Sequence, residues 1–205
     1  MAMTPTTELD AVNQMLVSIG EAPVNVLGSG LQEAEIAQTT LTNISRDVQS
    51  QGWYFNTEIR YTLPRNSDNE IVLPNNCVKV DRTQVYRDYD TDVVERNRKL
   101  YDRVTNSYTF DKDLVVNMVV LLDFNELPEV ARRYITLKAA RVFQDQTVGA
   151  QELHGYQIND EQFAYLALRE AESESMDYNV FDNYDTYRVL DRNINNTVIN
   201  ALTTS

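Results

Sequence analysis

Between Glu58 and about Phe124 the apolar residues come in short strand-like runs, alternating at Ile59, Tyr61 and Leu63, whereas on both sides they recur at spacings of three and four. Alternation places side chains on the two faces of a strand, and the three–four spacing places them on one stripe of a helix. A chain with this switch must interrupt a helical fold with a β region. Ile59, Tyr61 and Leu63 alternate until Pro64 breaks the strand. Ile71-Val72-Leu73, Val78 with Val80, Val85-Tyr86, Lys99-Leu100-Tyr101-Asp102 and Tyr108-Thr109-Phe110 are further short strands, parted by Asn, Asp and Pro turns. Thr105-Asn106-Ser107 reads as a hairpin turn between two of them. In the last strand, Leu114 to Leu122, both parities are largely apolar, so both faces are covered. The exception, Asn117, is expected near an edge or an interface.

The flanking segments carry helix punctuation. Thr7 and Asp10 form a capping box ahead of the stripe Leu9, Val12, Leu16 and Ile19, which Gly20 and Pro23 close. Ser29 with Gln32 reads as a second box, and a second helix is expected from about Gly30 to Gln51 on Ile36/Ala37, Leu41, Ile44 and Val48. Gly52 ends it. Trp53, Tyr54 and Phe55 cannot all face one stripe, so at least one anchors the helix end to the core. Pro128, following Asn125, Glu126 and Leu127, starts a third helix that turns Ala131, Tyr134, Ile135, Ala139, Val142 and Phe143 inward. Gly149 and Gly155 are expected to bracket a connector containing His154. A fourth helix then runs from Asn159 to about Tyr178 with Phe163, Leu166, Ala167 and Ala171 inward. The predicted class is α+β, mainly α: a bundle of about four helices with an inserted small antiparallel β region. Its parts are residues 1–57, the β-rich 58–124, the second helical half 125–180 and an extended segment 181–205.

That last segment spaces Phe181, Tyr184 and Tyr187 among Asp and Asn. Aromatics in such a setting suit a partly wet interface, either docking on a neighbouring subunit or partner or covering the chain's own core. Residues 192–205 read as a short strand or a frayed end.

The net charge is −13, and acidity is concentrated late: Asp145 to Asp191 holds eleven acidic residues and two arginines. Arg60 to Arg103, by contrast, holds nine basic and eight acidic residues. Wrapping nucleic acid needs a basic excess, so that class is disfavoured. A like-charged wall past which DNA slides is compatible with this charge, as is a merely solvated acidic face. The single cysteine, Cys77, excludes an intrachain disulfide framework and reads as a small hydrophobe at a strand start. The longest nearly apolar run, Leu114–Leu122, has nine residues, whereas a membrane-spanning helix needs about 20. Gly28-Ser29-Gly30 lacks the lysine and preceding strand of a phosphate loop. No metal, cofactor or catalytic set is expected, and a lone His154 beside Glu152 and Asp160 reads as an ordinary connector histidine.

ELDAVNQMLVSIGEAPVNVL, ISRDVQSQGWYFNTE, YTLP and DFNELPEVARRYITLKAARVFQDQTVGA together resemble the tail tubular protein A family of T7-like short-tailed phages, from Leu9 to about Asp185. REAESESMDYNVFD looks like that family's acidic fourth helix and exit. The resemblance implies a virion protein at the head–tail junction: a dodecameric adaptor ring, a homo-oligomer, beneath the portal protein and above the tail nozzle of tubular protein B. It further implies genome retention, passage of double-stranded DNA without sequence-specific binding, and a shoulder for tail fibres. Gly20, Pro23, Gly52, Trp53, Leu127 and Pro128 carry over as shape-setting positions; the family brings no catalytic set. Asn117, Phe181, Tyr184 and Tyr187 are the candidate interface residues. The rival readings are a carbohydrate-degrading tail enzyme and a soluble head-completion factor.

Overall fold

A computed structural model describes residues 4–82, 91–149 and 151–175, the side chains of 151–156 excepted. The elements are α1 (Glu8–Ser18), α2 (Gln32–Gln49), β1 (Thr57–Leu63), β2 (Cys77–Arg82), β3 (Val93–Arg96), β4 (Lys99–Asp102), β5 (Leu114–Val120), a 3-10 turn (Phe124–Glu126), α3 (Glu129–Thr147) and α4 (Gln151–Ser175). The fold is α+β and mainly helical, with a small antiparallel β region inserted between α2 and α3. The chain divides into Met1–Arg169 and Glu170–Ser205; in the second, only the last turns of α4 are described.

The change of period produces two cores. The helical one is built from Val12, Met15, Leu16, Leu41, Val48, Ile135, Phe143 and Leu168, among others. The β core gathers Leu63, Ile71, Leu100, Phe110, Leu114, Val116 and Met118. Leu122, just after β5, packs against both.

The capping box at Thr7 forms as its spacing requires: Asp10 N–H donates to Thr7 Oγ1 at 3.2 Å, and Thr7 N–H to Asp10 Oδ2 at 3.0 Å. The Thr7 hydroxyl, donating at 2.6 Å, and its amide hold the Asp10 carboxyl below the usual carboxylate range. The second expected box does not form. Gly30 sits at φ +79, outside the helical region, so α2 starts after Leu31, which makes no side-chain cap.

The fourth helix differs most from the sequence reading. It starts at Gln151, so Gly155 and His154 lie inside the helix and no connector brackets them. Its inward face is Ala164 and Leu168, while Phe163 and Leu166 are exposed and Ala167 points to solvent. Tyr165 fixes that phase by meeting Trp53 edge-on at 6.4 Å and Tyr134 at 5.3 Å. Arg141 of α3 adds a bond from Nε to Glu161 Oε2 at 2.5 Å.

In the sheet the order is β1-β5-β2, all antiparallel, and β3 pairs with β4. Asn117 therefore lies on the central strand, not at an edge. Its side chain acts within the sheet. There β1 bulges between Glu58 and Tyr61, Arg60 takes φ +57, and Arg60 N–H donates to Asn117 Oδ1 at 3.0 Å. Ile71-Val72-Leu73 and Tyr108-Thr109-Phe110 make only isolated bridges, Val72 to Lys99 and Thr109 to Glu70. Val85 and Tyr86 lie outside the described residues.

The turn after β4 is organised by Asp102, which is 3% exposed. Asp92 and Val104 amides donate to its Oδ1 at 3.1 and 3.0 Å, and Thr105 Oγ1 to its Oδ2 at 2.7 Å. Burial pushes its pKa up, but these donors, with the Thr105 amide, outweigh burial and hold it below the ordinary value. A depressed folded pKa means that this stabilisation is present above the unfolded pKa of about 3.9 and is lost as pH falls through the folded value. Asp102→Asn is expected to cost about 1–3 kcal/mol at neutral pH and to weaken the acid dependence of the urea midpoint. A variant as acid-sensitive as wild type would show that the carboxylate is not a source of that dependence.

Candidate functional site

The two chain crossings between the helical and β cores, residues 49–57 and 119–123, meet in a buried polar junction. Gly52 makes the turn out of α2 at φ +81, and a Cβ there would stand 2.9 Å from Val119 Cγ2. Both the backbone conformation and the close approach require glycine. Trp53 follows at 5% exposure, and its Nε1–H donates to the Val48 carbonyl at 2.8 Å. Asn56, 1% exposed, ties three backbones together. Its Oδ1 accepts from Trp53 N–H at 2.8 Å, and its Nδ2 donates to the carbonyls of Gln49 at 2.9 Å and Val120 at 2.8 Å. Val120 N–H returns a bond to the Asn56 carbonyl at 2.9 Å. Gln49, 2% exposed, treats Leu122 as a strand partner would, donating to its carbonyl at 3.0 Å and accepting from its amide at 2.8 Å.

A second polar lock stands at the start of α3. Pro128 is its N-cap residue, and Leu127 is 1% exposed in the helical core. Arg132 donates from Nε to the Leu127 carbonyl and from Nη1 to the Thr6 carbonyl, both at 2.7 Å, and from Nη2 to the Asn125 carbonyl. Glu129 accepts from Thr6 N–H at 2.9 Å and from Thr6 Oγ1 at 2.6 Å. The segment before α1 is thereby fixed to the end of the second crossing.

Of the shape-setting positions, the structure brings Gly52 and Trp53 together at the junction and places Leu127 and Pro128 beside the Arg132 lock. Gly20, at φ +85, and the exposed Pro23 lie at the exit of α1. There Asn13 both donates to the Val24 carbonyl, at 2.9 Å, and accepts from its amide, at 2.8 Å. Phe181, Tyr184 and Tyr187 lie outside the described residues. Gln49, Asn56 and Arg132 escaped the sequence reading; the one local signal was the set of polar side chains beside Val48 and Trp53.

An open groove of about 590 Å³ runs along the junction, lined by Glu8, Arg46, Asn76, Leu122, Asp123 and Asn125, among others. Its charges are mixed and its amides face backbone, an arrangement that suits a peptide surface better than a reaction. Among the described residues no His, Cys, Asp and Glu group is placed to hold a metal. Cys77 is buried at the start of β2, where burial and then the charge of Glu95 push its thiol pKa up, leaving little thiolate. No described helix is long and apolar enough to cross a membrane.

Two small cores joined through buried, fully bonded amide side chains define a structural component built to hold two modules at a fixed angle. A family model described as tail tubular protein matches residues 9–178. Tail tubular protein A of Klebsiella phage KP34 is 29% identical over 164 residues, covering 80% of this chain and 86% of that protein. The chain belongs to the tail tubular protein family of short-tailed phages. Its role is structural: a head-to-tail adaptor component of the virion tail.

Proposed function

We propose that twelve copies of this chain form the ring that joins the portal to the tail nozzle. In that place the ring holds the packaged genome, passes it during ejection and helps seat the tail fibres. The observation that carries this reading is the family match across nearly all of the described chain. The net charge of −13 supports it, because an acidic lining repels the duplex and limits sticking during passage. The rigid junction supports it too, since a ring under internal pressure needs modules that keep their angle. Asn117, half-buried and bonded to the Arg60 amide, remains a candidate docking residue with Phe181, Tyr184 and Tyr187.

Image classification of purified chain, with and without purified portal, is the decisive experiment. Twelvefold rings seated on the portal are expected, and particles in which the chain never forms a ring would overturn the reading. A chain ending at Tyr178 is expected to keep the wild-type unfolding midpoint while losing portal or nozzle docking. Normal assembly by that shortened chain would remove the three aromatics from the interface.

A further inference from the structure

We propose that the exposed stripe of α4, Phe163 with Leu166 and Ala167, packs against β1 of the next copy of this chain at Ile59, Arg60 and Tyr61. The proposal rests on the ring reading above and names a contact within it. Phe163 at 72% and Ile59 at 71% are the most exposed large hydrophobic side chains among the described residues. Leu166, 61% exposed, accompanies Phe163, and Tyr61, 44% exposed, follows Ile59 across the bulge along the strand edge. Positions 163, 166 and 167 share one helix face, opposite the Ala164 and Leu168 face that enters the core. Apolar groups clustered at helical spacing on a surface mark a protein contact.

The β1 rim selects a helix over a strand as its occupant. Its bulge and the left-handed Arg60 interrupt the regular ladder that an added strand would need, and Arg60 N–H is already turned to Asn117. What the rim offers is side chains. Charge fits as well. Asp160 stands one turn before Phe163 and Arg60 stands between Ile59 and Tyr61; both are exposed, and neither is ion-paired with any described residue. An apolar pair beside an acid therefore meets the exposed Ile59 beside a base, with Tyr61 next along the edge, whereas either surface facing its own copy would set like charges together. Because the two surfaces differ, the contact repeats head to tail and can close into a ring.

The test uses assembled phage particles carrying Ile59→Cys and Phe163→Cys in one chain, treated with a short bifunctional maleimide. Native Cys77 is buried and stays unreactive. A denaturing gel is expected to show a ladder of dimers, trimers and higher species, and neither single variant should give one. Rings visible by imaging but without a ladder, or crosslinking that stops at dimers, would overturn this contact and leave the ring reading standing. Particles without any ring of this chain would remove both. Charge exchange tests the same pair without cysteines. Arg60→Glu or Asp160→Arg alone should lower portal-templated assembly by about tenfold, the loss of one close charge pair, and the two together should restore it. Single losses without rescue in the double variant would overturn the pairing.

Discussion

Trp53→Ala is expected to lower the unfolding free energy by about 3–5 kcal/mol, the range for emptying a large aromatic site in a packed core. The indole lies at 5% exposure where the end of α2 meets α4, with Tyr165 edge-on at 6.4 Å. Alanine would leave a void that the flanking helices cannot close without moving. It would also leave the Val48 carbonyl with only the longer bond from the Gln51 amide, at 3.3 Å, at a helix end where carbonyls lack regular intrahelical partners. Circular dichroism in urea is the appropriate readout, because Trp53 is the chain's single tryptophan and its fluorescence disappears with the substitution. A midpoint near wild type would refute the burial on which this expectation rests.

Asn56→Ala is expected to cost about 3 kcal/mol or more, although it removes far less volume. It leaves the Trp53 amide and the carbonyls of Gln49 and Val120 buried without the side-chain partner that joined them. The Gln49 carbonyl keeps the Gly52 amide at 3.1 Å, whereas the Trp53 amide and the Val120 carbonyl lose the side-chain partner at about 1–3 kcal/mol each. Asn56→Asp separates chemistry from shape: one oxygen can still accept from Trp53, but the other meets two carbonyls that offered no proton. That variant should be weaker than wild type at neutral pH and recover part of the difference in mild acid, where a protonated carboxyl can donate again. Amide exchange at Trp53 and Val120 should accelerate in both. A loss below about 1 kcal/mol for Asn56→Ala would mean that water replaces the side chain and that the junction is not sealed.

The features legible in the sequence are those set by neighbours in the chain. The helix–strand–helix order follows from side-chain period, and the Thr7 box needs only a residue three positions away. Trp53 was readable as an anchor because three adjacent aromatics cannot share one stripe. The phase of α4 was not readable, because Phe163/Leu166/Ala167 and Ala164/Leu168 are rival stripes on one helix. Size favours the first, while docking through Tyr165 selects the second. Gly155 misled as a breaker; a helix tolerates one glycine at about 1 kcal/mol. Asn117 gave no sign that its amide would serve a bulge. The junction was hidden for a plainer reason: Gln49 meets Leu122 across 73 residues, Asn56 meets Val120 across 64 and Arg132 meets Thr6 across 126.

The junction also decides where the protein can yield under force. A hinge needs a few backbone torsions free to rotate, and here the two crossings are cross-tied by the buried side chains of Gln49 and Asn56. Torque applied to the β region must therefore be delivered to α2 and α3 as a whole instead of being absorbed between them. In the proposed ring, pressurised from one end, such a subunit would behave as a stiff lever, and compliance would reside in the contacts between copies.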